Sequence, residues 1–267
     1  RRAPKASLWP EEVKIQGARE LGPVLVIEAL WERLGIGSIL RRIIGEAKYT
    51  VPYERALMAM TANRLCSPDS KLGVWDRWLP TVFLPSCWEL KLPQMYEAMD
   101  VLYNHRLEVE EKVFFHAADL LNLEVDLVFY DTTTASFSID FEDIDEKGEV
   151  GVRKRGHAKD GGWSPQIVVA LAVTREGIPI RSWVFPGNTS DVTTVEKVKA
   201  DLRSWKLGRC LFVADAGMNS EENRSLLTKG CGKYLLAVRA ASVKEVREEV
   251  LNRRGRFRKI ADNLHVK

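Results

Sequence analysis

Cysteine and histidine are scarce in this sequence, four of each among 267 residues, and neither is grouped as a metal or disulfide framework demands. Cys66, Cys87, Cys210 and Cys231 stand far apart with no CxxC pair. That spacing excludes a disulfide-stapled scaffold and a structural zinc site, and suits a reducing cytoplasm. Long apolar runs are also lacking. The longest is Ile167 to Val173, far short of the ~18 residues of a membrane span, so no membrane partner is expected. The chain opens on Arg1 rather than Met and shows no apolar leader core; the reading is that the start is missing, not processed. There is no internal repeat or low-complexity tract. A net charge of +3 is too small, as a sum, to argue for a nucleic-acid partner.

What the sequence does have is the composition of a folded chain, 45% hydrophobic and 29% charged, with length for about two domains. Residues 1–122 read as a helical region. Ile27, Leu30, Trp31 and Leu34 recur at helical spacing, as do Val113, Phe114, Ala117, Leu120 and Leu121, and both stripes are expected to face a core. Pro52, Pro68, Pro80, Pro85 and Pro93 predict division into helices of roughly 10 to 15 residues, because an interior proline removes a hydrogen bond and clashes with the preceding turn. His105 and His116, three helical turns apart, are assigned to helix packing.

From Val125 the period changes. Val125 to Asp131, Gln166 to Thr174 and Ile178 to Phe185 read as strands, the last two joined by a tight turn through Arg175, Glu176 and Gly177. Val192, Val195, Val198, Leu202 and Trp205 mark a helix face, with Ser190 or Asp191 placed to cap it. Leu211 to Ala214 is a fourth strand, Ser220 to Gly230 a second helix, and Tyr234 to Val238 a fifth strand. The order is βββαβαβ over residues 123–240. Residues 241–267 read separately, since 239–267 hold nine Lys or Arg against four acids.

This order has a geometric consequence. A right-handed crossover through the helix at 191–205 lays strand four parallel to strand one, on the side away from the hairpin. Asp131 then closes strand one and Asp215 strand four, at the sheet end where open α/β folds place ligands. Two carboxylates ~4 Å apart repel by about 4 kcal/mol at an effective dielectric of ~20, so such a pair shares a proton or binds a cation. Mg²⁺, with one or two carboxylates completed by water and phosphate oxygens, answers that need and points to phosphoryl chemistry. The bland alternative for either aspartate alone is a turn former or helix cap.

The strings Tyr130-Asp-Thr-Thr-Thr134, Arg155-Gly-His-Ala-Lys-Asp160, Gln166-Ile-Val-Val-Ala-Leu-Ala-Val-Thr174, Phe185-Pro-Gly-Asn-Thr-Ser-Asp191 and Val213-Ala-Asp-Ala-Gly-Met-Asn-Ser220 resemble, in order and spacing, the catalytic domain of bacterial insertion-sequence DDE transposases of the IS-four type. Leu21 to Ile27 and Leu30 to Gly35 resemble the same family's amino-terminal part. The resemblance implies an α/β, ribonuclease H-like mixed sheet preceded by a helical, possibly DNA-binding region. It implies Asp131 and Asp215 as the first two acids of a triad holding Mg²⁺ (Mn²⁺ as substitute), double-stranded DNA (element ends and target) as partner, a dimer on DNA, and a bacterial, nucleoid-associated location. The family's third acid, a Glu, follows an inserted and largely β domain. By this comparison residues 241–267 begin that insertion, the catalytic domain is incomplete at its C-terminus, and the chain is expected to be inactive alone. Glu245, Glu248 and Glu249 lack the signature and are read as a solvated helix face. The alternatives are a ribonuclease H-like nuclease without strand transfer and a non-catalytic DNA-binding remnant.

Two charged stretches complete the reading. Arg153, Lys154, Arg155 and Lys159, in a loop before strand two, and Arg253, Arg254 and Arg256 in the basic tail are the candidate DNA-phosphate contacts; the rival for the loop is a merely solubilising surface. Asp140, Glu142, Asp143, Asp145, Glu146 and Glu149 form an acidic run whose spacing fails the calcium-loop pattern and reads as a hydrated loop. His157 is read as a surface imidazole. The eight tryptophans are too dispersed for a base-stacking platform and are mostly assigned to the core.

Overall fold

The computed structural model describes residues 17–49, 51–145, 150–157, 161–229, 232–238, 248, 255–256, 258–262 and 264–266. The chain divides into two compact units, Arg1–Leu123 and Glu124–Lys267.

The first unit is helical. Helices α1 (Gly22–Arg33), α2 (Ile36–Glu46) and α3 (Tyr53–Cys66) are followed by one turn, α4 (Lys71–Gly73), a series of short turns through Cys87, and α5 (Leu92–Leu120). The division by proline predicted above holds up to residue 92 and then fails: α5 runs for 29 residues. Pro93 sits in its first turn, where a missing N–H costs nothing, and no Pro or Gly follows before Leu120. Ala56, Met58, Ala59 and Ala62 of α3 and Met95 and Ala98 of α5 are fully buried; the alanines let the helices approach closely and the two methionines fill the space between them. Of the expected stripes, Trp31, Phe114 and Ala117 are buried, whereas Leu30, Leu120 and Leu121 are exposed. Gly35, between α1 and α2, adopts φ +71°, and a Cβ there would meet the His116 ring at 2.6 Å. His116 therefore does pack within the helical unit.

The second unit is built on a six-stranded mixed sheet. Its strands are β1 (Leu127–Ser136), β2 (Lys154–His157), β3 (Trp163–Val173), β4 (Pro179–Pro186), β5 (Leu211–Ala214) and β6 (Lys233–Leu236), with α6 (Asp191–Ser204) before β5 and α7 (Glu221–Thr228) before β6. The order is β2-β3-β1-β5-β6, with β4 also paired to β3. β3 runs antiparallel to β1 and β4 antiparallel to β3, while β5 lies parallel to β1 and β6 parallel to β5. This is the crossover geometry derived above.

Three details differ from the sequence reading. β1 does not end at Asp131 but continues to Ser136, because Thr132 to Ser136 find partners in Ala170 to Gln166 of β3. The basic loop at 153–159 is in part a strand, β2, paired to Trp163–Gln166. Ser190 takes the cap position of α6 without a capping side-chain bond; Ser220 does cap α7, accepting from Asn223 N.

Burial alternates along β1. Val128, Tyr130 and Thr132 are buried, whereas Phe129, Asp131 and Thr133 are exposed. On the covered side Tyr130 stacks with Phe212 and meets Trp183 edge-on, and α6 brings Val195, Val198 and Leu202 to the interior. The opposite side carries exposed Phe129, Leu171, Val184 and Leu235. A separate hairpin, β7 (Arg258–Ala261) with β8 (Leu264–Val266), lies in the basic tail.

Candidate active site

The parallel register decides where the two aspartates fall. Leu127, Val128 and Phe129 pair with Leu211, Phe212 and Val213; Asp131 and Asp215 each lie two residues beyond the last of these pairs, hence at one level on neighbouring strands. Both are exposed; strand alternation puts Asp131 with Phe129 on the open side of the sheet, and Asp215 follows β5 directly as the cap of the next turn. The expectation that Asp131 closes its strand needs amendment: it lies within β1, paired to Leu171 of β3, two residues past the parallel pairing with β5.

Each carboxylate is held by a backbone N–H. Asp131 Oδ1 accepts from Thr132 N at 2.7 Å, and Asp215 Oδ1 accepts from Gly217 N at 2.8 Å as the cap of the short turn Ala216–Met218. A third carboxylate, Asp191 at the start of α6, lies beside Thr132 and Gly217, the residues that hold these two acids. Thr132 Oγ1 donates to Asp191 Oδ1 at 2.6 Å. A Cβ on Gly217 would lie 3.3 Å from Asp191 Oδ2 and 3.1 Å from Asp215 Oδ1. The two oxygens are thus separated by no more than the sum of those distances, and glycine keeps the space between them open.

Further bonds lock the surrounding turns. Tyr130 Oη donates to Thr194 Oγ1 at 2.7 Å, and Thr194 Oγ1 donates to the Asp191 carbonyl at 2.6 Å. Burial pushes the Tyr130 phenol up to about 12, so it stays a neutral donor near pH 7. Asn223, buried on α7, donates to both Val192 O (2.8 Å) and Met218 O (2.9 Å), tying the start of α6 to the turn after Asp215. Sequence reasoning placed Asp191 only as a helix cap and overlooked Thr132, Gly217 and Asn223. These contacts join positions 31 to 59 residues apart, and the one available signal was that all four lie in or beside the quoted strings.

The donor set suits a hard cation. Asp131 and Asp215 offer carboxylate oxygens at one level on an exposed sheet end, and Mg²⁺ characteristically uses one or two carboxylates and keeps waters. Among the described residues no group of three or more His, Cys, Asp or Glu side chains is arranged to hold a metal.

The basic loop is engaged by the acidic run. Arg153 donates through Nε to Asp143 Oδ1 at 2.8 Å, Lys154 Nζ pairs with Asp145 at 2.7 Å and also donates to the Asp143 carbonyl, and Arg155 donates to the Asp140 carbonyl at 3.0 Å. These contacts hold the Asp143 and Asp145 carboxyls below, and Arg153 and Lys154 above, their usual ranges. The acidic stretch is therefore a partner of the basic one as well as a hydrated surface. Arg155 and His157 also border a cavity of about 390 Å³ with Trp163, Gln166, Asn188 and Asp191. Within it, Gln166 donates to Gly187 O at 2.8 Å while its Oε1 is buried without a hydrogen-bond partner among the described residues. Arg256 is exposed; Lys159, Arg253, Arg254, Glu245 and Glu249 lie outside the described residues. Glu248 is exposed.

With this geometry in place, the chain can be set beside known proteins. Residues 137–266 match the transposase DDE domain family. The matched stretch contains Asp191 and Asp215 and begins after Asp131, whose place rests on the register of β1 against β5. Three solved structures show similarity: the piggyBac transposase synaptic complex with hairpin DNA (14% identity, 88% of this chain, 54% of that chain, TM-score 0.42), the Mos1 transposase paired-end complex with left transposon end (11%, 84%, 61%, 0.28) and the Mos1 mariner paired-end complex with Mn (13%, 85%, 61%, 0.27). This chain therefore spans less than two thirds of each. No curated protein matches it. No helix among the described residues is long and apolar enough to cross a membrane.

Proposed function

We propose that this chain is part of a bacterial insertion-sequence transposase of the IS-four type, acting on double-stranded DNA at element ends and target, as a dimer, in the cytoplasm and in association with the nucleoid. The observation that carries the reading is the parallel alignment of β1 with β5, which brings Asp131 and Asp215 to one level in a chain that matches the DDE domain family. Asp131 and Asp215 hold the divalent cation, Mg²⁺ or its substitute Mn²⁺. When bound, such a cation neutralises charge on the attacking and leaving oxygens of an in-line phosphoryl displacement.

The chain's own residues supply placement. Thr132 N and Gly217 N each fix one oxygen of an acid, which leaves the remaining carboxylate lone pairs directed by the backbone and not by free rotation. The Arg155 side of the cavity next to Asp191 receives DNA phosphate, and Arg153, Lys154, Lys159, Arg253, Arg254 and Arg256 add sequence-independent attraction. The third carboxylate of the triad is not among the acids assigned to the site.

Titration of Mn²⁺ into the chain tests the central point. Asp131→Ala and Asp215→Ala should each weaken Mn²⁺ binding severely, at unchanged fold by circular dichroism. Undiminished affinity in both variants would refute the paired site.

A further inference from the structure

We propose that Asp191 is a positioning residue for the two-acid site: from the covered side of the sheet it fixes the backbone N–H groups that orient Asp131 and Asp215. The inference deepens the proposed function and rests on its assignment of those two acids.

An aspartate in the first turn of a helix is ordinarily explained by the helix dipole and by capping of free N–H groups. Asp191 instead turns Oδ1 to a side chain on a strand 59 residues earlier, accepting from Thr132 Oγ1 at 2.6 Å. Thr132 is the residue whose backbone N–H holds Asp131 Oδ1. Asp191 Oδ2 lies 3.3 Å from where a Cβ on Gly217 would sit, and Gly217 is the residue whose backbone N–H holds Asp215 Oδ1. One carboxylate thus bonds the residue that orients Asp131 and borders the space beside the residue that orients Asp215.

Strand alternation separates this role from direct coordination. Thr132 is buried on the α6 side and Asp131 faces the opposite side, so Asp191 approaches the strand from behind the acid it serves. Its own carbonyl is fixed by Thr194, which in turn is fixed by Tyr130, and Asn223 ties the next residue of α6 to the turn carrying Gly217. Asp191 is therefore anchored at both ends, as a support for other groups must be.

Partners that orient metal ligands typically change affinity by 10- to 100-fold when removed, and this sets the expected effect. In the full chain, Mn²⁺ affinity read by titration and by the electron paramagnetic resonance signal of the free ion should fall about 10- to 100-fold in Asp191→Ala and in Thr132→Val. Thr132→Ser, which restores the donor, should recover most of the loss. Asp191→Asn keeps an oxygen that can accept from Thr132 and should stay within about threefold of the parent, since the hydrogen bond and not the charge does the positioning. Loss in Asp191→Asn as deep as in Asp215→Ala would make Asp191 a direct ligand and overturn the proposal. Lowered melting temperature with unchanged Mn²⁺ affinity in Asp191→Ala and Thr132→Val would make it structural only, and would overturn it too. Should Asp131→Ala and Asp215→Ala also leave affinity unchanged, the acid site itself falls; if they abolish binding while Asp191→Ala does not, only this inference falls.

Discussion

Tyr130 on β1 and Thr194 on α6 share a buried hydrogen bond of 2.7 Å that fastens the central strand to the helix covering it. Replacing Tyr130 by Phe removes one such bond and should cost about 1 kcal/mol at neutral pH, a fall of roughly 2 to 4 °C in melting temperature. The pH dependence follows from the direction of the phenol's shift. Its folded value is raised from 10.0 to about 12, so above pH 10 the unfolded chain loses this proton first, and stability declines as pH climbs from 10 towards 12. Tyr130→Phe should lack that part of the decline. Denaturant midpoints at pH 7 and pH 10.5 compare the two; parallel losses in both proteins would contradict the assignment.

Gly217→Ala is the sharpest test of the space between carboxylates. Its backbone is not left-handed, so the added methyl meets no conformational penalty of that kind. It does arrive 3.1 Å from Asp215 Oδ1 and 3.3 Å from Asp191 Oδ2, and one or both carboxylates must shift by a few tenths of an ångström. Mn²⁺ affinity should drop by about tenfold while the melting temperature stays within a few degrees of the parent. A variant that binds Mn²⁺ as well as the parent would show the gap to be immaterial.

How far the sequence could be read depended on whether the information was local. β5 was legible to the residue because Leu211 to Ala214 is a short apolar run between a turn and a capping Asp. The parallel placement of β5 followed from the handedness of crossovers, and with it the alignment of Asp131 and Asp215 as a candidate pair. Beyond Asp131, Thr132-Thr-Thr134 gave no apolar signal, and only pairing with β3 makes it strand. β2 was hidden for the same reason, its Lys-Arg-Gly-His composition being that of a loop until Trp163–Gln166 lies beside it. Asp191 was visible as a helix-start residue, but its bond to Thr132 is a tertiary fact that no local pattern encodes.

In the helical unit, Glu54 is 4% exposed and accepts from Trp31 Nε1 and Arg55 Nε, each at 2.6 Å. Arg55 also reaches Glu28 at 2.9 Å. Glu54→Ala leaves the Arg55 guanidinium to Glu28 and Glu32 and removes the acceptor of the Trp31 indole N–H, and should destabilise the fold by about 1 to 3 kcal/mol. Glu54→Gln, which retains an acceptor, should cost less. Urea denaturation of both variants gives the ordering, and equal midpoints would show that packing and not pairing holds this corner.

The last prediction concerns the basic loop, whose cations are engaged by acids of the same unit. Arg153 and Lys154 are paired with Asp143 and Asp145, so DNA must compete with a neighbouring carboxylate for each of them. Removing both acids should strengthen DNA binding: in Asp143→Ala with Asp145→Ala, two cations become available for phosphate. Each additional neutralised phosphate steepens the slope of log K against log salt by about 0.9, so the double variant should fall off more steeply than the parent by up to about 2. Replacing Arg153, Lys154 and Arg155 by Ala should act in the opposite sense, and adding that triple change to the double variant should erase its gain. Filter binding of a duplex between 50 and 200 mM salt measures all four proteins. Equal slopes for the parent and the double variant would mean that the acidic and basic stretches serve each other and leave DNA to the remaining cations.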